Sequence, residues 1–381
     1  MKKLRLFTPG PVMVPEDVML EMAQPMLHHR TEWYRGVQKE VTELLRYVFQ
    51  TKSLVLIFTG SGTSAMEGAI VGCLPAGHKA LVINNGKFGE RWVKVCAAFG
   101  IDHTPVKLEW GQGAKPDTVK KAMDADPKID TVIMVHSETS ASAVSDVEGI
   151  AKVTRERNAL LLVDGITAVG AIPFKMDDWG VDVCVTGSQK ALMLPPGLGF
   201  AAINDRAWQR IDSGKTHCFY NDVKAYRKSA DNNETPYTPA VTLIRGALVS
   251  LRKIKTRGLE NVWAETKLLG TATRAAVKAL GLKLFAADPV DSVTGFWLPQ
   301  GMDEGALRKT LREKHGMQIA GAQDQIKGKV CRITHMGYVD QYDTLGCIAA
   351  LEMTLAAMGH KVTLGSAVTA ALQVMAEHNP K

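Results

Sequence analysis

Over the first half of the chain, short and almost wholly apolar runs alternate with segments whose apolar residues recur three and four positions apart. The runs 54–58, 80–85, 131–135, 159–163, 181–185 and 199–203 read as strands bounded by Gly, Asn and Ser, and the less apolar 102–106 joins them. Helices are predicted after Pro15, over Glu32–Phe49, from about Thr63, over 86–99 with Gly100 as its stop, and over 117–123 and 150–157. In Glu32–Phe49 the residues Val37, Val41, Leu44, Leu45 and Val48 fall on one face. Strands apolar on both sides, alternating with helices, predict an α/β fold with a mostly parallel sheet covered on both faces. Ligands of such sheets sit beyond the carboxyl ends of the strands.

The flanking segments have a different texture. Residues 4–14, centred on Thr8-Pro-Gly-Pro11, predict an extended arm, because the prolines block helix and Gly10 permits unusual backbone angles. Residues 204–239 are polar and aromatic, and predict an irregular excursion packed against a partner subunit. Residues 241–280 read as helix broken near Gly258. A C-terminal α+β unit should follow, with strands near 283–285, 293–298 and 329–333, helices from Asp303 and over 342–358, and a helix-prone tail over 365–381. The expected division is an arm over 1–20, a large domain over 21–255 and a small domain over 256–381.

Polar residues collect where the strands stop. The run 181–185 gives way to Thr186-Gly-Ser-Gln-Lys190, which presents one lysine ahead of the apolar, proline-rich stretch 191–200. Desolvation there would favour the neutral amine and make it a nucleophile toward carbonyls. Taken alone, a lysine in a chain with 46 Lys and Arg is a solvated charge. Its neighbours change that reading. The strand 54–58 runs through Thr59-Gly-Ser-Gly-Thr-Ser64 into a helix, an arrangement that points backbone N–H groups and the positive helix end at a phosphate. Gly60-x-Gly62-x-x-Ala65 imitates a dinucleotide fingerprint, but the next strand ends in asparagines rather than a ribose-binding acid, and no Gly-Lys-Ser/Thr is present. The strand 131–135 leads to His136-Ser-Glu-Thr-Ser140, and 159–163 to Asp164-Gly165.

Composition narrows the partners. The 381 residues carry a formal charge of +7, yet the basic residues are dispersed, so small anions are favoured over nucleic acid. The six cysteines (73, 96, 184, 218, 331, 347) form no C-x-x-C pair and no metal-ligand spacing, and read as reduced core residues. No apolar run approaches a membrane span, so no membrane association and a cytoplasmic location are expected.

The ordered set Thr8-Pro-Gly-Pro11, Tyr47-Val-Phe-Gln-Thr51, Thr59-Gly-Ser-Gly62, Asn85-Gly-x-Phe-Gly89, His136-x-Glu138, Val163-Asp164, Gly187-Ser-Gln-Lys-Ala191 with Pro195-Pro-Gly197, and Val330-x-Arg-Ile333 spans almost the whole chain. It resembles the class V branch of the fold-type I pyridoxal-phosphate enzymes, and within it the alanine–glyoxylate and serine–glyoxylate (serine–pyruvate) aminotransferases. The resemblance implies a large domain with a mostly parallel seven-stranded sheet between helices, a smaller C-terminal α+β domain, and a homodimer with its active sites at the subunit interface. It implies that Lys190 forms the internal aldimine with pyridoxal 5′-phosphate and shuttles the substrate proton, and that Asp164 pairs with the pyridine nitrogen. Ser61, Gly62, Thr63 and Gln189 would hold the phosphate, with Tyr237 and Thr238 arriving from the other subunit. Phe88 would stack on the ring, where many members carry tryptophan, and Thr139, or else Ser140, would contact the cofactor by its hydroxyl. Arg332 would clamp the substrate α-carboxylate, and the arm at Gly10 would close the pocket. The implied activity is ping-pong transfer of an amino group between alanine or serine and glyoxylate or pyruvate. Alternatives on the same resemblance are an aspartate-type aminotransferase, a lyase or desulfurase, and a non-catalytic hydrogenase-associated subunit. Gln189 and Phe88 stand where desulfurases typically have histidines, and Ala141-Ser-Ala-Val replaces the usual Thr-Gly run of the glyoxylate enzymes.

Overall fold

A computed structural model describes residues 3–378 of the chain. The apolar runs form one seven-stranded sheet in the order Leu54–Thr59, Leu198–Ile203, Val183–Gly187, Leu160–Asp164, Ile129–Val135, Lys79–Asn84 and Asp102–Lys107. All pairings are parallel except those of Leu198–Ile203, which is antiparallel to both neighbours. That exception has a local cause: the chain reverses within the loop after Gly187, so the next strand returns beside the one just completed. The carboxyl ends of the parallel strands therefore share one edge, at Thr59, Asn84, Val135, Asp164 and Gly187.

Alternation decides which core each residue enters. Leu161 and Val163 pack with the helices Glu32–Phe49 and Val241–Arg257 on one face. Leu160 and Leu162 pack with Gly62–Cys73 and Asp205–Ser213 on the other. With period-two side chains and helices on both faces, every position of the central strands is buried, which is why they read as unbroken apolar runs.

The segment 204–239 corrects its expectation. It contains two helices, Asp205–Ser213 and Val223–Ala230, capped by the side chains of Asn204 and Asp222. Their Ala207, Trp208, Ile211, Val223 and Tyr226 enter this chain's own core, so the segment does not wait on a partner to bury it. Phe219 and Tyr220, between the helices, stay exposed.

The second sheet has four strands in the order Arg5–Phe7, Met317–Gly321, Val330–Thr334 and Val293–Trp297. Its first strand comes from the N-terminal arm and runs parallel to Met317–Ile319. Helices Leu259–Ala279, Glu304–His315, Gln341–Ala357 and Ser366–His378 share its core. Residues 1, 2 and 379–381, parts of the expected arm and tail, lie outside the described residues. The strand expected near 283–285 reduces to a single bridge between Leu284 and Phe296, and the strand Met317–Gly321 was not anticipated. Among the described residues no helix is long and apolar enough to cross a membrane.

Candidate active site

The turn after Val183–Gly187 is built to fix one amine. Ser188 Oγ donates to the Pro195 carbonyl (2.7 Å) and accepts from Leu198 N (3.1 Å), which closes the loop that carries Lys190. The lysine is buried at 8% exposure, and its Nζ donates to the Pro9 carbonyl of the arm. Gly10 lies so close that a Cβ there would collide with the Lys190 side chain, and its φ of +118° independently favours glycine. Burial pulls the Lys190 ammonium down to about 8; nearby Asp164 opposes the shift, and Arg332 and Arg91 assist it.

Asp164 ends its strand with a carboxylate that is 2% exposed. Oδ1 accepts from Ile166 N (3.0 Å) and Oδ2 from the indole Nε1 of Trp92 (3.1 Å). Burial nevertheless raises this acid to about 6, against the pull of those two bonds and of Arg91 and Lys190. Trp92 sits on helix Lys87–Ala98, which also carries Phe88 at its start.

The start of that helix is held by a buried acid. Glu138 Oε2 accepts from Phe88 N (3.1 Å) and Gly89 N (3.0 Å), while Oε1 accepts from Ser140 N (3.0 Å) and Ser140 Oγ (2.6 Å). A Cβ on Gly86 would clash with this carboxylate at 2.5 Å, so glycine at the N-cap is a steric requirement. Arg91, one turn on, places its guanidinium 4.9 Å from the Phe88 ring centroid and reaches Thr63 Oγ1 at 3.4 Å.

Beside this lies the turn read as a phosphate cradle. Ser61 caps helix Gly62–Cys73 by accepting from Thr63 N (3.3 Å). Gly187 brings the two segments together: a Cβ on it would lie 3.2 Å from Gln189 Oε1 and 3.5 Å from Gly62 N. Gln189 Oε1 is buried without a hydrogen-bond partner.

Arg332 enters from the smaller sheet. It is 7% exposed, donates from Nη1 to the Thr139 carbonyl (2.8 Å) and from Nε and Nη2 to the Gly321 carbonyl (3.1 and 2.6 Å). It makes no ion pair with a carboxylate among the described residues, and burial lowers its proton affinity.

One cavity of about 300 Å3 brings Gly10, Phe88, Thr139, Lys190 and Arg332 together. Ser61, Gly62, Thr63, Asp164 and Gln189 do not line it; Gly62 and Gln189 meet beside Gly187, at the end of the strand that leads to Lys190. Tyr237 and Thr238 do not line the cavity: Tyr237 stacks on Tyr220 (5.2 Å between centroids) and donates to the Phe219 carbonyl (2.9 Å), and Thr238 is exposed. The Thr139 hydroxyl is engaged with Thr167 Oγ1 (2.7 Å), and the Ser140 hydroxyl with Glu138.

The motif positions in the sequence point to no role for Trp92, Arg91 or Glu138. For the first two a signal existed: positions 88, 91 and 92 are three and four apart and share one helix face.

These residues fit a phosphorylated pyridine aldehyde. A buried amine stands ready for the aldehyde, and a buried acid, held on both oxygens, for a ring nitrogen. An aromatic ring offers a stacking surface. The Gly62 helix start and the Arg91 cation suit a phosphate.

The profile described as Aminotransferase class-V matches residues 6–367. The chain is 40% identical over 378 residues to the soluble hydrogenase 42 kDa subunit of Anabaena cylindrica, covering 98% of both chains. It is 36% identical over 386 residues to the serine–glyoxylate aminotransferase of Methylorubrum extorquens, covering 98% of this chain and 96% of that one. The solved ureidoglycine–glyoxylate aminotransferase of Bacillus subtilis superposes with a TM-score of 0.93 at 26% identity over 99% of each chain. With its seven-stranded sheet, its strand-end lysine and this match over nearly its full length, the chain belongs to the class V aminotransferases of the fold-type I pyridoxal-phosphate enzymes.

Proposed function

We propose that the protein moves an amino group between a small amino acid, alanine or serine, and a small 2-oxo acid, glyoxylate or pyruvate, in two half-reactions at Lys190. The observation that carries this reading is the meeting of a buried lysine and a buried, ion-pair-free arginine in one cavity. Pyridoxal phosphate, when bound, supplies an electrophilic carbon for the amino group and a ring that draws electrons from the substrate Cα.

Each side chain then has a task suited to its surroundings. Burial leaves part of the Lys190 population neutral near pH 8, so Nζ can attack a carbonyl and later take and return the Cα proton. Asp164, clamped by Ile166 N and Trp92 Nε1, would keep a proton on the pyridine nitrogen. Phe88 provides the flat surface, fixed by Glu138 through its backbone. Arg332, pre-oriented on two carbonyls, offers its remaining edge to the α-carboxylate, a fork lysine cannot reproduce. Ser61, Gly62, Thr63 and Gln189 would hold the phosphate, Thr139 would contact the cofactor, and Gly10 closes the pocket beside the amine. Tyr237 and Thr238 act from a second copy in a homodimer.

Other readings of the site fare worse. A desulfurase needs a reactive thiol on a mobile loop; Cys331 lies in the strand Val330–Thr334 and burial pushes its thiol up to about 12. A purely structural subunit gains nothing from burying Lys190, Asp164 and Arg332, each of which loses hydration in the interior.

The test is a half-reaction screen. The purified yellow holoenzyme is mixed with each amino acid in turn, and loss of the bound-cofactor absorbance identifies the donors. Lys190→Ala is expected to lose the covalent cofactor signal and at least about a thousandfold in turnover. Arg332→Ala should mainly raise KM, by about a hundredfold. Full activity in the lysine variant overturns the reading.

A further inference from the structure

The cavity that holds Lys190 and Arg332 is lined by a second arginine, Arg308, from helix Glu304–His315. Gly321 separates the two guanidinium groups. Its carbonyl accepts from Arg332, while a Cβ on it would lie 3.1 Å from Arg308 Nε and collide with Glu304. Arg308 Nε is 2.5 Å from Glu304 Oε1, yet both atoms lack a hydrogen-bond partner, so the pair is close in charge but misaligned. The outer nitrogens of Arg308 have no acceptor among the described residues.

The charge of the lining is one-sided. Lys190, Arg308 and Arg332 line the cavity, the amides of Gln318 and Gln323 complete its rim, and no carboxylate belongs to the lining. The nearest acid on the rim segment, Asp324, is already paired with Lys87 at 2.8 Å. An amino acid with one carboxylate satisfies Arg332 and leaves Arg308 at the cavity with Glu304 as its one charged partner among the described residues.

We propose that Arg308 is a specificity-determining residue that receives the side-chain carboxylate of a four-carbon amino dicarboxylic acid while Arg332 takes the α-carboxylate. This inference rests on the transaminase reading and broadens its donor range. The Arg308 side chain is 41% exposed at the cavity mouth, so the contact there is a charge-assisted pair in which the free edge of the guanidinium can engage both oxygens.

The experiment uses the holoenzyme and two inert acids, succinate and propionate, titrated by calorimetry against wild type and Arg308→Gln. Wild type is expected to bind succinate at least about tenfold more tightly than propionate, and the variant to lose that preference. In steady-state assays the variant should raise KM for aspartate about tenfold more than KM for alanine, and Arg308→Lys should restore part of the difference. Equal wild-type affinity for the two acids, or equal losses for both amino acids in a variant that melts like wild type, overturns the proposal. If alanine is still turned over, the transaminase reading stands; a protein that binds no pyridoxal phosphate overturns both.

Discussion

Lys190 and Asp164 make the stability of the cofactor-free protein depend on pH in a way the sign of each shift dictates. Lys190 falls from 10.5 to about 8 on folding, so its burial penalises the charged form. The penalty is fully present below pH 8 and is relieved as pH rises from about 8 to 10.5; at its largest it is about 3 kcal/mol. Lys190→Met should therefore raise the melting temperature of the cofactor-free protein at pH 7, by an amount worth ~1–3 kcal/mol, with the gain shrinking toward pH 10. A gain that is constant with pH would show that the amine is not desolvated. Asp164 works the other way along the same axis: its acid is raised from 3.8 to about 6, so its stability contribution is complete below the lower value and is lost as pH climbs through the higher. Burial raises that acid, and Trp92, after Ile166 N, limits the rise. Trp92→Phe keeps the packing but leaves Oδ2 without its indole donor, costing about 1–3 kcal/mol and raising the acid further. The expected signature is a kcat reduced about tenfold with KM for the amino acid nearly unchanged, and a pH profile whose acidic limb moves upward. A variant that only melts earlier, with the pH profile intact, would mean the tryptophan is merely structural. Nothing in the sequence announced this pair, because a helix face and a strand end 72 residues apart meet only through the fold.

At the scale of elements, the start of helix Lys87–Ala98 depends on Glu138 rather than on a capping side chain of its own. Glu138→Ala strands the N–H groups of Phe88, Gly89 and Ser140 in the interior, and should cost about 3 kcal/mol in denaturant unfolding. Cofactor affinity should fall with it, since Phe88 is carried on that turn; a variant with wild-type stability would remove Glu138 from this role. The central strands were legible because both faces are buried, so hydrophobicity alone marked them. The amphipathic Asp205–Ser213 was hidden among polar neighbours, although Asn204 as cap and the spacing of Ala207, Trp208 and Ile211 were there to be seen. Met317–Gly321 escaped notice because its alternation is short and puts exposed Gln318 between buried Met317 and Ile319. Of the site, Lys190, Phe88, Thr139, Gly10 and Arg332 were legible as motif positions and share a cavity. Arg308 was not, since it belongs to a solvent-facing helix and gains its place only from Gly321 at the end of the adjoining strand.

Across the whole molecule, the site is assembled from both sheets. Arg332 crosses from the four-stranded sheet to the Thr139 carbonyl, and Lys87 crosses back to Asp324. The proposed homodimer has a natural place to form. Phe219 is 79% and Tyr220 44% exposed, both rings pack on Tyr237, and the Tyr220 hydroxyl donates to the Thr59 carbonyl (3.3 Å) just ahead of the Ser61–Gly62 turn. Phe219→Asp should weaken self-association at least about tenfold in sedimentation experiments, and lower cofactor affinity in parallel. A wild-type protein that sediments as a monomer at micromolar concentration would sink the dimer.

The pairing of Arg5–Phe7 with Met317–Ile319 carries a consequence for biosynthesis. The segment that lays Gly10 against Lys190 is translated about three hundred residues before the strand that anchors it. Throughout that interval the arm is an unpaired edge, and the lysine lacks the carbonyl of Pro9 above it. Cover for the amine is withheld until Met317–Ile319 has been made.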